Sequence, residues 1–253
     1  IFFPGWLGHK DSKYLIPLAD LLYSKGFDIV RIHPIDHGDS EHLNEDFFRA
    51  TDIRALIEVV KYLGQKFSDN EIHLIGFSLG GNISLRISAS PEINFLKKTI
   101  VLSPVINPEN SMNAMDKNSW ILRKYFIDKW KKTIRRKIDL YNINAKEALK
   151  HKNIKSLTEY FTENFTPHSH VRDLFSAYAV TQETLNNINH DTFIYSAYDD
   201  PCVPIEPLLE LEETTNVEFN ALEYGGHCGF IDDFRFTSSV YHEISKKLES
   251  NTH

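Results

Sequence analysis

The chain has 253 residues, 42% of them hydrophobic, and a formal net charge of −7. That is enough apolar material for one sizeable core, fitting one α/β domain with an insertion, and the acidic balance argues against nucleic acid as a general partner. Cys202 and Cys228 are too few for a disulfide framework, which points to a reducing compartment and a cytoplasmic protein.

No run approaches the ~20 apolar residues of a membrane span, and no charged n-region precedes an apolar stretch. The chain opens at Ile1 inside an apolar run, so lost N-terminal sequence is expected. Ile1-Phe2-Phe3 reads as a buried strand, and Pro4-Gly5-Trp6-Leu7-Gly8 as the loop at its carboxyl end. Tyr14, Leu15, Leu18, Leu21 and Leu22 recur at helical spacing, with Gly26 as the cap. Phe27 to Ile32 is predicted as the next strand, followed by the polar loop His33 to Ser40. Ile53, Leu56, Ile57, Val60 and Leu63 mark a second helix, closed by Gly64. Ile72–Ile75 is a strand that turns into a helix through Gly76-Phe77-Ser78-Leu79-Gly80, and Thr99–Leu102 is a further strand stopped at Ser103-Pro104. This alternation means a parallel sheet covered on both faces.

From about Asn107 to His190 the rhythm breaks, with helical patterns and no convincing strand. Trp120, Ile127, Trp130, Ile134, Ile138 and Tyr141 form one amphipathic stripe, and Arg123, Lys124, Lys131, Lys132, Arg135, Arg136 and Lys137 form a basic face. Such a helix either docks by its aromatic stripe with the charges in water, or lies on an anionic membrane. The sheet pattern resumes at Thr192–Ser196, with a helix near Ile205–Glu213, a strand at Val217–Leu222 and a last helix around Ser238–Leu248. The expected organisation is core residues 1–106, a helical lid over 107–190, and core residues 191–253.

The pattern G-x-S-x-G between a strand and a helix carries chemistry. A serine on that sharp turn stands clear of the sheet, and flanking glycines let neighbouring backbone approach. Ser78 is the expected nucleophile, and the Leu79 N–H at the new helix N-terminus points where an oxyanion would form. A serine hydroxyl needs a base, and the base needs an orienting acid. His227, in a glycine loop after the last strand, shares the carboxyl edge of the sheet with Ser78 and completes the order Ser…Asp…His. The acid follows the preceding strand, where Asp199 or Asp200 could serve; Asp200 is chosen because Val203-Pro204 fixes its direction. The second oxyanion donor is expected from the first loop, at the backbone N–H of Trp6. No metal and no cofactor is expected.

Across nearly its whole length the chain resembles the YheT-like α/β-hydrolases, a serine esterase-like family. The resemblance rests on Pro4-Gly5-Trp6-Leu7-Gly8, Asp36-His37-Gly38-Asp39-Ser40, Gly76-Phe77-Ser78-Leu79-Gly80-Gly81-Asn82, Asp199-Asp200-Pro201-Cys202-Val203-Pro204, and Gly225-Gly226-His227-Cys228-Gly229-Phe230. The basic stretch Leu122–Lys137 and Glu159-Tyr160-Phe161 to Thr166 belong to the same likeness. It implies an α/β-hydrolase core, a helical lid and a Ser/Asp/His triad on Ser78, Asp200 and His227. The family usually has His-Gly in the first loop, where Pro4 precedes Gly5 here. It also has strands upstream of Ile1, whose loss would uncover a sheet edge.

The expected activity is hydrolysis of carboxylic esters, short- to medium-chain or lipid-like, through an acyl-enzyme on Ser78. The rivals are acyl transfer to an alcohol and a non-catalytic lipid-binding role. The expected partner is a small ester or lipid, with weak membrane-surface contact through the basic helix. His37 is read as a loop residue, with contact to substrate as its alternative. His168-x-His170 lacks an acidic or cysteine partner for a metal, and the spacing of His227 and Asp232, shared with some acyltransferases, is nearly uninformative.

Overall fold

The structure, a computed structural model, describes residues 1–118, 120–233 and 238–250. In chain order its elements are β1 (Phe2–Phe3), α1 (Ile16–Ser24), α2 (Arg54–Lys66), β2 (Ile72–Phe77), α3 (Leu79–Ser88) and β3 (Leu96–Leu102). Then come α4 (Pro108–Asn118), α5 (Trp120–Tyr141), α6 (Ile154–Phe165), α7 (Val171–Ser176) and α8 (Gln182–Asn186). The sheet resumes with β4 (Asp191–Ala197), α9 (Glu206–Leu209), β5 (Val217–Leu222) and α10 (Ser239–Glu249).

The strands run parallel in the order β1-β2-β3-β4-β5. Every residue of β2 is buried, as expected of an apolar strand covered on both faces. Ile75, Phe77, Ile100 and Leu102 pack with α1 and α10 on one face, through Leu18, Leu22 and Ile244. Leu74 and Phe3 pack on the other face against α2 and α3, through Val60, Ile83 and Ile87. Lys98 on β3 is buried, and its ammonium reaches the Lys247 and Ser250 carbonyls, where a cation favours the carboxyl end of α10.

Three expectations about where elements run and end change. Residues 27–32 form no strand: only Arg31 bridges to Phe2, whose N–H donates to the Val30 carbonyl and whose carbonyl accepts from Ile32. With β1 only two residues long, there is no ladder for that segment to extend. Gly64 does not end α2, which continues to Lys66; a Cβ there would stand 2.4 Å from the Phe95 ring, so the glycine serves close packing and not a cap. The helix expected over 205–213 is the single turn α9.

Between β3 and β4 the described residues contain only helices, as their patterning predicts. They enclose their own apolar cluster, including Met112, Ile127, Ile134, Leu157, Phe161 and Phe175. The α5 stripe docks largely as expected: Ile127 and Ile134 are buried, with Trp130 and Ile138 packed beside them. Trp120 does not join it and stays 67% exposed.

Candidate active site

The turn from β2 to α3 determines where the Ser78 hydroxyl stands. Ser78 has φ 53° and ψ −120°, a conformation that side chains avoid unless their surroundings impose it. Its N–H donates to Leu102 on β3, and its carbonyl accepts from Gly81 and Asn82. A Cβ on Gly76 would lie 2.4 Å from the Gly80 carbonyl oxygen, and one on Gly80 would lie 2.3 Å from that of Phe3. The motif's two glycines are therefore required by backbone contact.

His227 and Asp200 converge on this serine from 149 and 122 residues further along the chain. The imidazole Nε2 lies 3.0 Å from Ser78 Oγ, and Nδ1 lies 2.9 Å from Asp200 Oδ2. The other carboxylate oxygen accepts the Cys202 and Val203 amides at 2.8 and 2.9 Å, so the acid is fixed from its own turn. Asp199, the alternative acid, accepts the Gly225 and Gly226 amides instead and pins the loop that carries His227. Ser103, at φ 48°, holds the same loop from β3 by accepting the Cys228 N–H. A serine before a proline at a strand end hardly announces that role in sequence. Burial of the His227 ring opposes its charge. The Cys228 sulfur and the Asp200 carboxylate act the other way and hold its pKa above the ordinary histidine value.

The first loop faces Ser78 closely: a Cβ on Gly5 would sit 3.1 Å from that of the serine. Its amides can be followed in turn. Gly5 donates to the Tyr14 hydroxyl at 2.8 Å, Leu7 to His37 Nε2 at 2.9 Å, and Gly8 to the Gly5 carbonyl. Among the described residues, the Trp6 and Leu79 N–H groups have no protein acceptor. His37 is buried, its Nδ1 lies 2.7 Å from the Ile35 carbonyl, and burial lowers its pKa to about 4. It is thus a neutral ring serving the loop, which favours the structural reading over contact with substrate. This role of Tyr14 emerges only from the structure, which sets it ahead of α1; in sequence it reads as one more apolar position of the helical stripe.

A family model for the alpha/beta hydrolase fold matches residues 1–234. The chain belongs to the α/β-hydrolase fold family. Within it, the chain is 23% identical over 239 residues to the putative esterase YheT of Escherichia coli (strain K12), covering 91% of this chain and 70% of that protein. It is 22% identical over 255 residues to abhydrolase domain-containing protein 2 of Drosophila melanogaster, spanning 90% of this chain but only 62% of the fly protein. Two solved structures share the fold: the Pyrococcus furiosus esterase Pf2001 (TM-score 0.63, 16% identity, 98% of this chain and 81% of that one) and a serine hydrolase from Cycloclasticus zankles (TM-score 0.63, 15% identity, 98% and 88%).

In this α/β-hydrolase-fold chain, Ser78 and His227 open onto a cavity of about 580 Å³. Its walls are largely aromatic and aliphatic, among them Phe47, Met112, Trp130, Phe161 and Phe175. Helix α5 reaches the first loop directly. The Trp6 ring stacks on Phe126 with centroids 5.6 Å apart and meets Trp130 edge-on at 5.0 Å. Asn82 on α3 ties the serine's helix to the base of the insertion, donating to the Val105 and Tyr178 carbonyls.

Asp200, Cys202 and His227 are the one group among the described residues whose ligand atoms lie close enough to share a metal ion. Their hydrogen bonds already account for the arrangement, and burial raises the Cys202 pKa to about 11, so the sulfur is a thiol. His168 and His170 join no such group. Asp232 accepts from the Ser239 N–H and hydroxyl at the start of α10, which gives it a capping role.

Proposed function

We propose that this protein is a serine hydrolase that cleaves carboxylic esters through an acyl-enzyme on Ser78. One observation carries the reading: a single imidazole bridges the Ser78 hydroxyl and the Asp200 carboxylate, at 3.0 and 2.9 Å. That is the arrangement in which a neutral histidine can take the serine proton while its other nitrogen is held in one tautomer.

In the proposed reaction, Ser78 Oγ attacks the acyl carbonyl as His227 Nε2 takes its proton. Charge developing on the carbonyl oxygen is met by the Trp6 and Leu79 N–H groups, which have no competing acceptor among the described residues. His227 then gives its proton to the departing alcohol. Water, deprotonated by the same ring, releases the acid and restores the serine. The Asp200 carboxylate holds the ring in place and stabilises the imidazolium. The aromatic cavity suits the apolar acyl part of a short- to medium-chain or lipid-like ester, and its volume lies in the range of small-molecule sites. Residues 107–190 act as the lid, and the proposed location is the cytoplasm, peripheral to membranes.

A fluorophosphonate probe should label the wild type and leave Ser78→Ala unlabelled, with p-nitrophenyl ester hydrolysis lost in the same variant. Folded wild-type protein that neither labels nor hydrolyses any acyl length would sink the proposal in favour of a lipid-binding role. Diversion of most product to a new ester by added alcohol would replace hydrolysis with acyl transfer.

A further inference from the structure

Helix α5 carries eight lysines and arginines against two aspartates, in a chain whose net charge is −7. Two of these cations turn inward: Lys137 to Asp36, and Arg136 to Asp39 and Glu41. At 100° per residue, Trp120, Ile121, Lys124, Lys131 and Arg135 share the opposite, outward side. Charge there is net positive even with Asp128 and Asp139 counted. The first turn of that side is apolar and unpacked, with Trp120 67% and Ile121 61% exposed.

One edge of this face borders the cavity. Tyr125, one turn on, is 54% exposed and yet lines the cavity with Lys129. The Asn118 side chain, just before α5, donates to the Pro201 carbonyl at 3.3 Å, which sets the start of the helix beside the loop after β4. Tyr198 on that loop and Tyr224 after β5 are also exposed. An exposed tryptophan next to cations, about one helical turn from an exposed tyrosine that lines an apolar cavity, matches the boundary between anionic headgroups and acyl chains.

We propose that the outward face of α5 docks on an anionic lipid surface, with Trp120 and Ile121 inserted at the headgroup boundary and Lys131 and Arg135 over the headgroups. So held, the cavity mouth opens toward the lipid, and the ester reaches Ser78 from the membrane phase. Only this delivery step rests on the function proposed above; the docking does not. The helix lies on the surface and does not enter it, and no described helix is long and apolar enough to cross a membrane.

The test is sedimentation of the full chain with phosphatidylcholine vesicles, with and without phosphatidylglycerol, at low and at about 0.1 M salt. Pelleting should require the anionic lipid and weaken with salt. Lys131→Gln with Arg135→Gln should weaken it roughly thirtyfold. Trp120→Ser with Ile121→Ser should weaken it about tenfold or more. None of these four residues lines the cavity, so hydrolysis of a soluble short-chain ester should be unchanged and reports correct folding. Ser78→Ala should pellet like the wild type, which keeps failure of docking distinct from failure of catalysis. No pelleting at low salt, or equal pelleting with neutral vesicles, would overturn the proposal. So would tight binding of soluble heparin without vesicle binding, which would mark an acidic macromolecule as the partner.

Discussion

Lys137 and Asp36 meet at 2.7 Å with both side chains almost wholly out of water. The lysine also donates to the Asn44 and Asp46 carbonyls, and the aspartate accepts the Phe48 N–H. The carboxyl-terminal half of α5 is thereby fastened to the loop between α1 and α2. Removing one partner of a buried pair leaves an uncompensated charge, which costs about 3–5 kcal/mol. Lys137→Met should therefore lower the melting temperature by roughly 10 °C. Adding Asp36→Asn to it should recover much of the loss. A double variant no more stable than the single one would show that the pair matters through packing and not charge.

The proposed base predicts a pH profile of defined sign. His227 must be neutral to accept the serine proton, and the neutral fraction grows as pH rises. Because Cys228 and Asp200 outweigh burial and raise its pKa, the acid limb of kcat/KM should lie above the ordinary histidine value of about 6.5. Asp200→Asn should move that limb to lower pH and reduce kcat by about 10⁴-fold. A limb that stays in place in Asp200→Asn would separate the carboxylate from the base.

Tyr14 and His37 hold the two amides on either side of Trp6. Tyr14→Phe removes the acceptor for Gly5, and His37→Ala the acceptor for Leu7. Each should reduce kcat by a share of the ~10²–10³ attributed to one oxyanion donor, with little change in KM. Affinity for a trifluoromethyl ketone inhibitor should fall in step, because its adduct is an oxyanion. His37→Gln, which keeps an acceptor, should recover part of the loss. An equal rise in KM with kcat unchanged would assign the loop to substrate binding.

Much of this was legible in the chain itself. Fully buried strands announce themselves as apolar runs, and Ser78, Asp200 and His227 follow from where such runs end, because a parallel sheet gathers its carboxyl ends. Residues 27–32 misled because a strand needs a partner ladder as well as alternation, and β1 offers two residues. Gly64 misled because a glycine that ends a helix and one that admits an aromatic ring look alike in sequence. Tyr14, Ser103 and Asp199 escaped, or were given another role, because each acts by accepting one or two backbone amides from another loop, and no local pattern encodes that.

The indole of Trp6 has a consequence for engineering. The residue that offers its amide beside Ser78 also rests its ring on Phe126 and Trp130. Cap and floor are therefore not interchangeable modules. A cap transplanted from another member of the fold would arrive without seats for that indole, and the loop beneath would relax even if every polar group around the serine were untouched. Successful chimaeras should have to exchange position 6 together with positions 126 and 130.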